Sequence, residues 1–269
     1  MELTLDNYYS QEANMEYMSV SQFKDFLKCE KYGLAKVKGE YVQPKTESML
    51  IGLYVDAYFS NRLEQLIDET PELLDSRSKE KKVKQGIVKQ AEECIRAIVN
   101  DDFFMSKISG LKQFIATGEI NGVKFKGAID FLNDDINDLK VVESISEKSW
   151  VKKNGKKQLM DFIKAYDYDI QGAVYQELVK QMLALIKNFN LACVSKEENP
   201  DKAIINLPQS MLDKALQLVK DLAPRFDLIK KGLIEPIGCG NCVVCRKYNR
   251  LNRVVSYDEL FGENDYANN

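Results

Sequence analysis

The chain has 269 residues, with 38 Lys+Arg, 41 Asp+Glu and no histidine, for a formal net charge of −3. This length supports one large domain or two small ones, and 45% hydrophobic residues are enough for a substantial core. Without histidine there can be no Ser-His-Asp triad, Cys-His dyad or His-ligated metal centre. Any catalysis rests on carboxylates, Lys, Tyr, Ser or Cys, and any metal on oxygen or sulfur. The longest apolar runs, such as Met182 to Ile186, cannot span a bilayer. The first residues lack the basic and apolar regions of a secretion signal, so a cytoplasmic location without membrane contact is expected.

Residues 1–18 are acidic and tyrosine-rich without clear periodicity and read as an irregular arm. Ser19 or Ser21 caps a helix that carries Phe23, Phe26 and Leu27 on one face and runs to about Cys29. A second helix starts near Glu47 and places Leu50, Leu53, Tyr54, Ala57 and Tyr58 at helical spacing. Residues 72–116 read as a heavily charged, solvated helical layer. From Glu119 to Ser144 the period becomes that of strands, with turns at Asn121-Gly122 and Asn133-Asp134-Asp135. A long helix is predicted from Asp161 to about Asn188, with Ile170, Val174, Leu178 and Leu185 on one stripe. Strands follow at Leu191 to Ser195 and Ala203 to Leu207, then a helix from Met211 to about Lys231. Helices flanking a mixed sheet, with no Pro/Gly-rich linker, favour one α/β domain over 1–269. Its additions would be an N-terminal helical arm (about 1–45) and a C-terminal cysteine cluster (about 237–250).

The hairpin Gly127–Leu132/Ile136–Val141 carries the strongest chemical signal. A loop at 133–135 pairs Leu132 with Ile136, Asp130 with Asp138, and Ala128 with Lys140, all on one face. Ile129, Phe131, Leu139 and Val141 would lie on the other. Carboxylates set opposite each other repel and call for a cation. Oxygen ligands suit Mg²⁺ or Mn²⁺, which also collect substrate phosphates. Lys140, two residues from Asp138, can hold a phosphate oxygen or an attacking water, and metal plus lysine suffices for phosphodiester hydrolysis. Taken alone the pattern also fits a solvated edge hairpin. Gln171 and Tyr175 lie four apart on one helix face. Asp56, in an otherwise apolar helix, must reach either solvent or a cation.

Gly-x-x-Val-Asp (52–56), Gly-x-Ile-Asp (127–130), Asp-Leu-Lys (138–140) and Gln-x-x-x-Tyr (171–175) stand in the order found in PD-(D/E)xK nucleases. The chain resembles their RecB-like branch and the phage RecE-type exonucleases (exodeoxyribonuclease VIII-like). The resemblance implies a restriction-endonuclease-like core with a mixed central sheet flanked by helices. It implies an Mg²⁺- or Mn²⁺-dependent exonuclease acting on double-stranded DNA with free ends, in phage-type recombination inside a bacterial cell. Asp130, Asp138 and the Leu139 carbonyl would hold the metal, Lys140 would be the catalytic lysine, and Gln171 and Tyr175 would form the helix motif near DNA. Many relatives have a histidine where Asp56 stands; a carboxylate can substitute as ligand. A single-strand annealing recombinase as partner and a homo-oligomeric ring are further implications. The alternatives are a RecB-like iron–sulfur nuclease of DNA repair or CRISPR adaptation, and a non-catalytic nucleic-acid-binding module on the same fold.

Of six cysteines, Cys239, Cys242 and Cys245 form a C-x₂-C-x₂-C triplet, which in a cytosolic chain points to metal. The spacing suits a [4Fe-4S] cluster; Zn²⁺ and reduced thiols remain open. Cys29 is the candidate fourth ligand, at the place where some RecB-like nucleases carry the first cluster cysteine. Cys94 and Cys193 read as small core residues. A net charge of −3 does not favour bulk DNA binding, so local patches must supply it. Lys152, Lys153, Lys156 and Lys157, on a loop after the Asp-Leu-Lys strand, are the nearest candidate DNA contacts, and Arg246, Lys247, Arg250 and Arg253 form a second basic run.

Overall fold

The computed structural model describes residues 1–76, 82–153, 156–250 and 253–261. From the N-terminus come α1 (Gln11–Glu16), the short strand β1 (Met18–Ser19), α2 (Val20–Lys28), α3 (Glu30–Val37), α4 (Glu47–Phe59), α5 (Leu63–Glu69), a 3-10 turn at Pro71–Leu73, α6 (Gln85–Val99) and α7 (Asp102–Lys107). Strands β2 (Leu111–Ile120), β3 (Val123–Leu132) and β4 (Ile136–Val142) follow, then β5 (Ser149–Lys153), β6 (Lys156–Met160), α8 (Phe162–Ala165) and α9 (Tyr168–Leu183). The chain continues through β7 (Phe189–Ser195), β8 (Lys202–Asn206), α10 (Gln209–Lys230), α11 (Val243–Lys247) and α12 (Tyr257–Phe261).

The main sheet runs β1-β3-β4-β7-β8, with β2 also paired to β3. Strand β4 is parallel to β7, β1 is parallel to β3, and the remaining pairs are antiparallel. Strand β7 is buried throughout, as a central strand must be. Leu191 and Cys193 face one core, Ala192 and Val194 the other. On the first face pack α2, α9 and α10, through residues such as Phe23, Phe26, Val174, Leu178 and Phe226. On the second pack α4, α6 and α7, through Leu50, Val55, Ile87, Ile98 and Phe104. Each such side chain, fully buried, is worth roughly 1.5–3 kcal/mol of transfer free energy, so the two helical layers fix the sheet between them. This is the mixed α/β core with helical additions expected from the sequence. Among the described residues no helix is long and apolar enough to cross a membrane.

Several elements follow from local chemistry. The Ser19 hydroxyl caps α2 by accepting from the Gln22 N–H, and Thr46 caps α4 through the Met49 N–H. Asn121 and Gly122 both have positive φ, +47° and +78°, the turn geometry that an Asn-Gly pair supplies between β2 and β3. Other expectations are corrected. Residues 1–18 are not an irregular arm: they contain α1 and end in β1, which pairs with β3 at Met18↔Phe125. The layer read as helical over 72–116 holds α6 and α7, but residues 111–116 are strand, because β3 offers them a full-length antiparallel partner. The long helix predicted over 161–188 is two helices, broken before Tyr168. It ends at Leu183, where Ala184 turns to φ +55°, and this leaves Leu185 exposed rather than on the buried stripe.

Candidate active site

Strand β2 runs along one edge of β3 for its whole length, so β1 and β4 must share the other edge. Strand β1 pairs with Phe125 and Lys126, and β4 with Phe131 and Leu132 only. Residues 127–130 of that edge therefore have no strand partner, and β3 and β4 diverge as a fork. Only the Leu132–Ile136 part of the expected hairpin register survives. Asp130 and Asp138 are not a ladder pair, nor are Ala128 and Lys140, because the Asp130 side chain enters the fork in place of a backbone bond: its Oδ2 accepts from the Leu139 N–H at 3.0 Å. On the other edge the β2 ladder is also interrupted at this position, where Gln113 has φ +51° and its amide donates to Asp130 Oδ1 at 3.5 Å. The facing is corrected accordingly: Phe131, Leu139 and Val141 pack in the second core as expected, but Ile129 lies in the first.

The fork brings charged groups together. Asp138 is only 1% exposed, and its Oδ1 accepts from Gln171 Nε2 at 2.8 Å. Its Oδ2 is ion-paired with Lys140 Nζ, which also donates to the Leu139 carbonyl at 3.3 Å. Burial, then the charges of Asp138 and Asp56, push the Asp130 carboxyl well above the usual carboxylate range. Burial would lower the Lys140 ammonium, but Asp138 and Asp130 outweigh it and hold the proton on. Asp56 projects from α4 on the opposite layer. Burial raises its carboxyl, Arg62 and Lys140 oppose that rise, and Asp138 adds to it. Among the described residues the buried Oδ1 of Asp56 has no hydrogen-bond partner, while the carboxylate meets Arg62 at 3.5 Å. Three carboxylates thus crowd one another. The Lys140 ammonium sits on two of the oxygens, one from Asp138 and one from Leu139, that a divalent ion would use. An oxygen-only donor set of this kind suits a hard cation such as Mg²⁺ or Mn²⁺.

Tyr175 is buried one turn from Gln171 on α9. The Tyr175 ring packs on Gly127, where an added Cβ would lie 2.8 Å from ring carbon Cε1. Gly172, between them on α9, is held against Phe189 in the same way, at 2.5 Å. Two glycines therefore let the helix approach the fork closely enough for Gln171 to reach Asp138.

Other residues at the site carry no local signal in the sequence. Tyr168 lies with its ring 5.3 Å from Lys140 Nζ and 5.2 Å from Lys24 Nζ. Burial, then repulsion by Lys140, lowers the Lys24 ammonium to about 8. A cleft of about 830 Å³ opens onto the fork between the N-terminal arm, α2 and α4; Tyr9, Lys24, Asp56, Arg62, Asp130 and Gln171 are among its walls. The arm is tied down by two lysines buried among neutral acceptors. Lys126, 1% exposed, bonds the Tyr8 carbonyl and Asn14 Oδ1; Lys230, 2% exposed, bonds the Asn14 and Tyr17 carbonyls.

The predicted lysine loop is instead the hairpin β5–β6, with Lys152 opposite Lys157 and Lys153 opposite Lys156, because Trp150 to Lys153 find an antiparallel partner. Lys157 is exposed, whereas the side chains of Lys152, Lys153 and Lys156 lie outside the described residues. Cys29, Cys239, Cys242 and Cys245 are drawn together, with their Sγ atoms all within 4.8 Å of one another, and such a group is able to hold a metal ion. Cys94 and Cys193 are fully buried in the two cores, as expected.

Residues 19–248 match the model of a family described as a PDDEXK-like domain of unknown function (DUF3799). The chain belongs to this family. A search of curated proteins finds no match. Among solved structures, this PDDEXK-like chain is similar to a crystal structure described as a "putative exonuclease" from Eubacterium rectale. The two are 40% identical, the likeness covers 98% of this chain and 99% of the other, and the TM-score is 0.88. The family and this neighbour together support a nuclease.

Proposed function

We propose that this chain is a metal-dependent deoxyribonuclease that hydrolyses phosphodiester bonds of linear double-stranded DNA from its ends. The observation that carries the reading is the convergence of Asp130, Asp138 and Lys140 at the fork between β3 and β4, with Gln171 bonded to Asp138. A binding-only module has no evident need for a buried set of like charges, which is costly to keep.

In this reading Asp130, Asp138 and the Leu139 carbonyl hold Mg²⁺ or Mn²⁺, with Asp56 as a further ligand. When bound, the ion supplies a water of lowered pKa and neutralises charge developing on phosphorus. The chain's own side chains do the rest. Gln171 fixes the Asp138 carboxylate, and Tyr175, one turn further along α9, packs its ring against Gly127 of β3. Lys140 keeps its proton and presents positive charge to a phosphate oxygen or to the attacking water. Lys24 and Arg62, on the cleft walls, offer cations to the DNA backbone on its way in. Lys152, Lys153, Lys156 and Lys157 are proposed to contact phosphates of the DNA. Phage-type recombination in the cytoplasm, with a single-strand annealing recombinase as partner and a homo-oligomeric ring that threads the DNA, completes the proposal.

End-labelled linear duplex and covalently closed circular DNA, each incubated with Mg²⁺ or EDTA, test it. Degradation of the linear DNA alone, abolished by EDTA, is the expected result. Cleavage of the circle would make the enzyme an endonuclease. Intact DNA in both Mg²⁺ and Mn²⁺ would leave the non-catalytic module as the better reading.

A further inference from the structure

Far along the chain from the fork, the four clustered cysteines come from two distant segments. Cys29 sits at the junction of α2 and α3, while Cys239, Cys242 and Cys245 lie in the loop before α11 and on α11 itself. The Sγ of Cys29 lies 3.6 Å from that of Cys245 and 3.8 Å from that of Cys242. A disulfide would need about 2.05 Å, so these are not bonded pairs. Four thiolates around one zinc, at about 2.3 Å each, stand about 3.8 Å apart along the edges of a tetrahedron. In a [4Fe-4S] cube each cysteine binds a different iron, and the cube itself must fit between the thiolates, which sets them much further apart. The observed spacing fits a single ion.

The backbone is arranged for thiolates rather than for packed thiols. The Cys239 N–H donates to Cys29 Sγ at 3.3 Å, the Cys242 N–H to Cys239 Sγ at 3.3 Å, and the Cys245 N–H to Cys242 Sγ at 3.4 Å. Amide donors of this kind stabilise the sulfur charge left after metal binding. Nor does burial explain the meeting, since Cys239 is exposed and Cys242 and Cys245 are half-buried. Cys94 and Cys193 show the contrast: each is fully buried in a main core, apart from the other cysteines.

We propose that Cys29, Cys239, Cys242 and Cys245 bind one Zn²⁺ in a closed, mononuclear, structural tetrathiolate site. Residues 29 and 239 are 210 positions apart, so the ion closes a loop around nearly the whole nuclease core. The local apolar cluster it completes is small, built on Cys29, Tyr32, Ala35 and Val244. One further polar tie joins the segments: Glu30 accepts from Arg225 on α10 and, at 2.6 Å, from the Ile237 N–H. Among the described residues, the ties of the C-terminal segment to α3 besides the ion are this small cluster and the Glu30 contact. The proposal does not depend on the nuclease reading.

The full-length protein, produced with iron and zinc both supplied, purified without oxygen and exchanged into Mg²⁺ buffer, should contain one zinc per chain and no sulfide. Replacing the zinc with Co²⁺ should give the absorption of a tetrahedral tetrathiolate site. Cys239→Ser should lose that spectrum; if the variant fails to fold, chelator titration of the wild type takes its place. Zinc removal should then speed hydrogen exchange in 29–37 and 237–248 and leave β7 protected. Iron with equimolar sulfide and a brown absorption would overturn the proposal in favour of a cluster. Metal-free protein with four titratable thiols at these positions would overturn it altogether.

Discussion

At the scale of single residues, the proposed site turns on how Asp138 is held. Its Oδ1 accepts from Gln171 and its Oδ2 is ion-paired with Lys140, on a side chain that is itself almost fully buried. Gln171→Ala removes the group that orients the carboxylate without touching the carboxylate itself. Such partners are worth about 10- to 100-fold in metal affinity or activity. The expected outcome is a cleavage rate reduced by about that factor, with a higher Mg²⁺ concentration needed for half-maximal activity. Wild-type Mg²⁺ dependence in this variant would show that Gln171 does not orient the metal ligand. Asp130, Asp138, Lys140, Gln171 and Tyr175 were legible in the sequence because each sits in a short motif on one strand or one helix. Lys24, Gln113, Lys126 and Tyr168 were not. Nothing in their own neighbourhoods marks them: Lys24 and Tyr168 come to the fork through the docking of α2 and α9, Gln113 through β2, and Lys126 faces the cleft from β3.

At the scale of elements, two contacts set the site's precision. Helix α9 reaches the sheet through Gly172, where a methyl would fall 2.5 Å from Phe189 Cδ1. Alanine would gain up to about 1 kcal/mol of helix propensity there, but overpacking a rigid contact costs about 1–3 kcal/mol. Gly172→Ala is therefore expected to lower the urea midpoint; an unchanged or higher midpoint would mean that the helix is not seated so closely. The N-terminal arm is held by Lys126 and Lys230, whose ammonium groups burial lowers from 10.5 to about 8. The folded chain releases these protons before the unfolded chain does. The cost of burying the charge is therefore fully present below pH 8 and fades as the pH rises from about 8 towards 10.5. The stability of the wild type relative to Lys126→Met should accordingly rise between about pH 7 and about pH 10 in denaturant melts. A pH-independent difference would contradict the buried charge. Residues 111–116 read as helix because Leu-Lys-Gln-Phe-Ile-Ala has no strict alternation and follows a charged helical stretch. The strand exists because β3 supplies a partner, and such long-range pairing is invisible to local periodicity.

At the scale of the whole molecule, a net charge of −3 means that, in the proposed function, local patches rather than the overall field would hold the DNA. Lys157 is exposed on the β5–β6 hairpin, just beyond the fork in sequence. In the inactive Asp138→Asn background, Lys157→Ala should weaken duplex binding and reduce the slope of log affinity against log salt by about 1. An unchanged slope would remove that lysine from the interface.

In the proposed function the β3–β4 fork is a hydrolytic site in which two carboxylates and one lysine act together. It is tested most directly by cleavage of end-labelled linear duplex in Mg²⁺, with wild type, Asp138→Asn and Lys140→Met compared at matched thermal stability. Loss of a preorganised charge of this kind costs on the order of 10²–10³ in rate, so each variant should fall by at least about 100-fold while still binding DNA. If either variant cleaves at the wild-type rate, the chemistry is not at the fork.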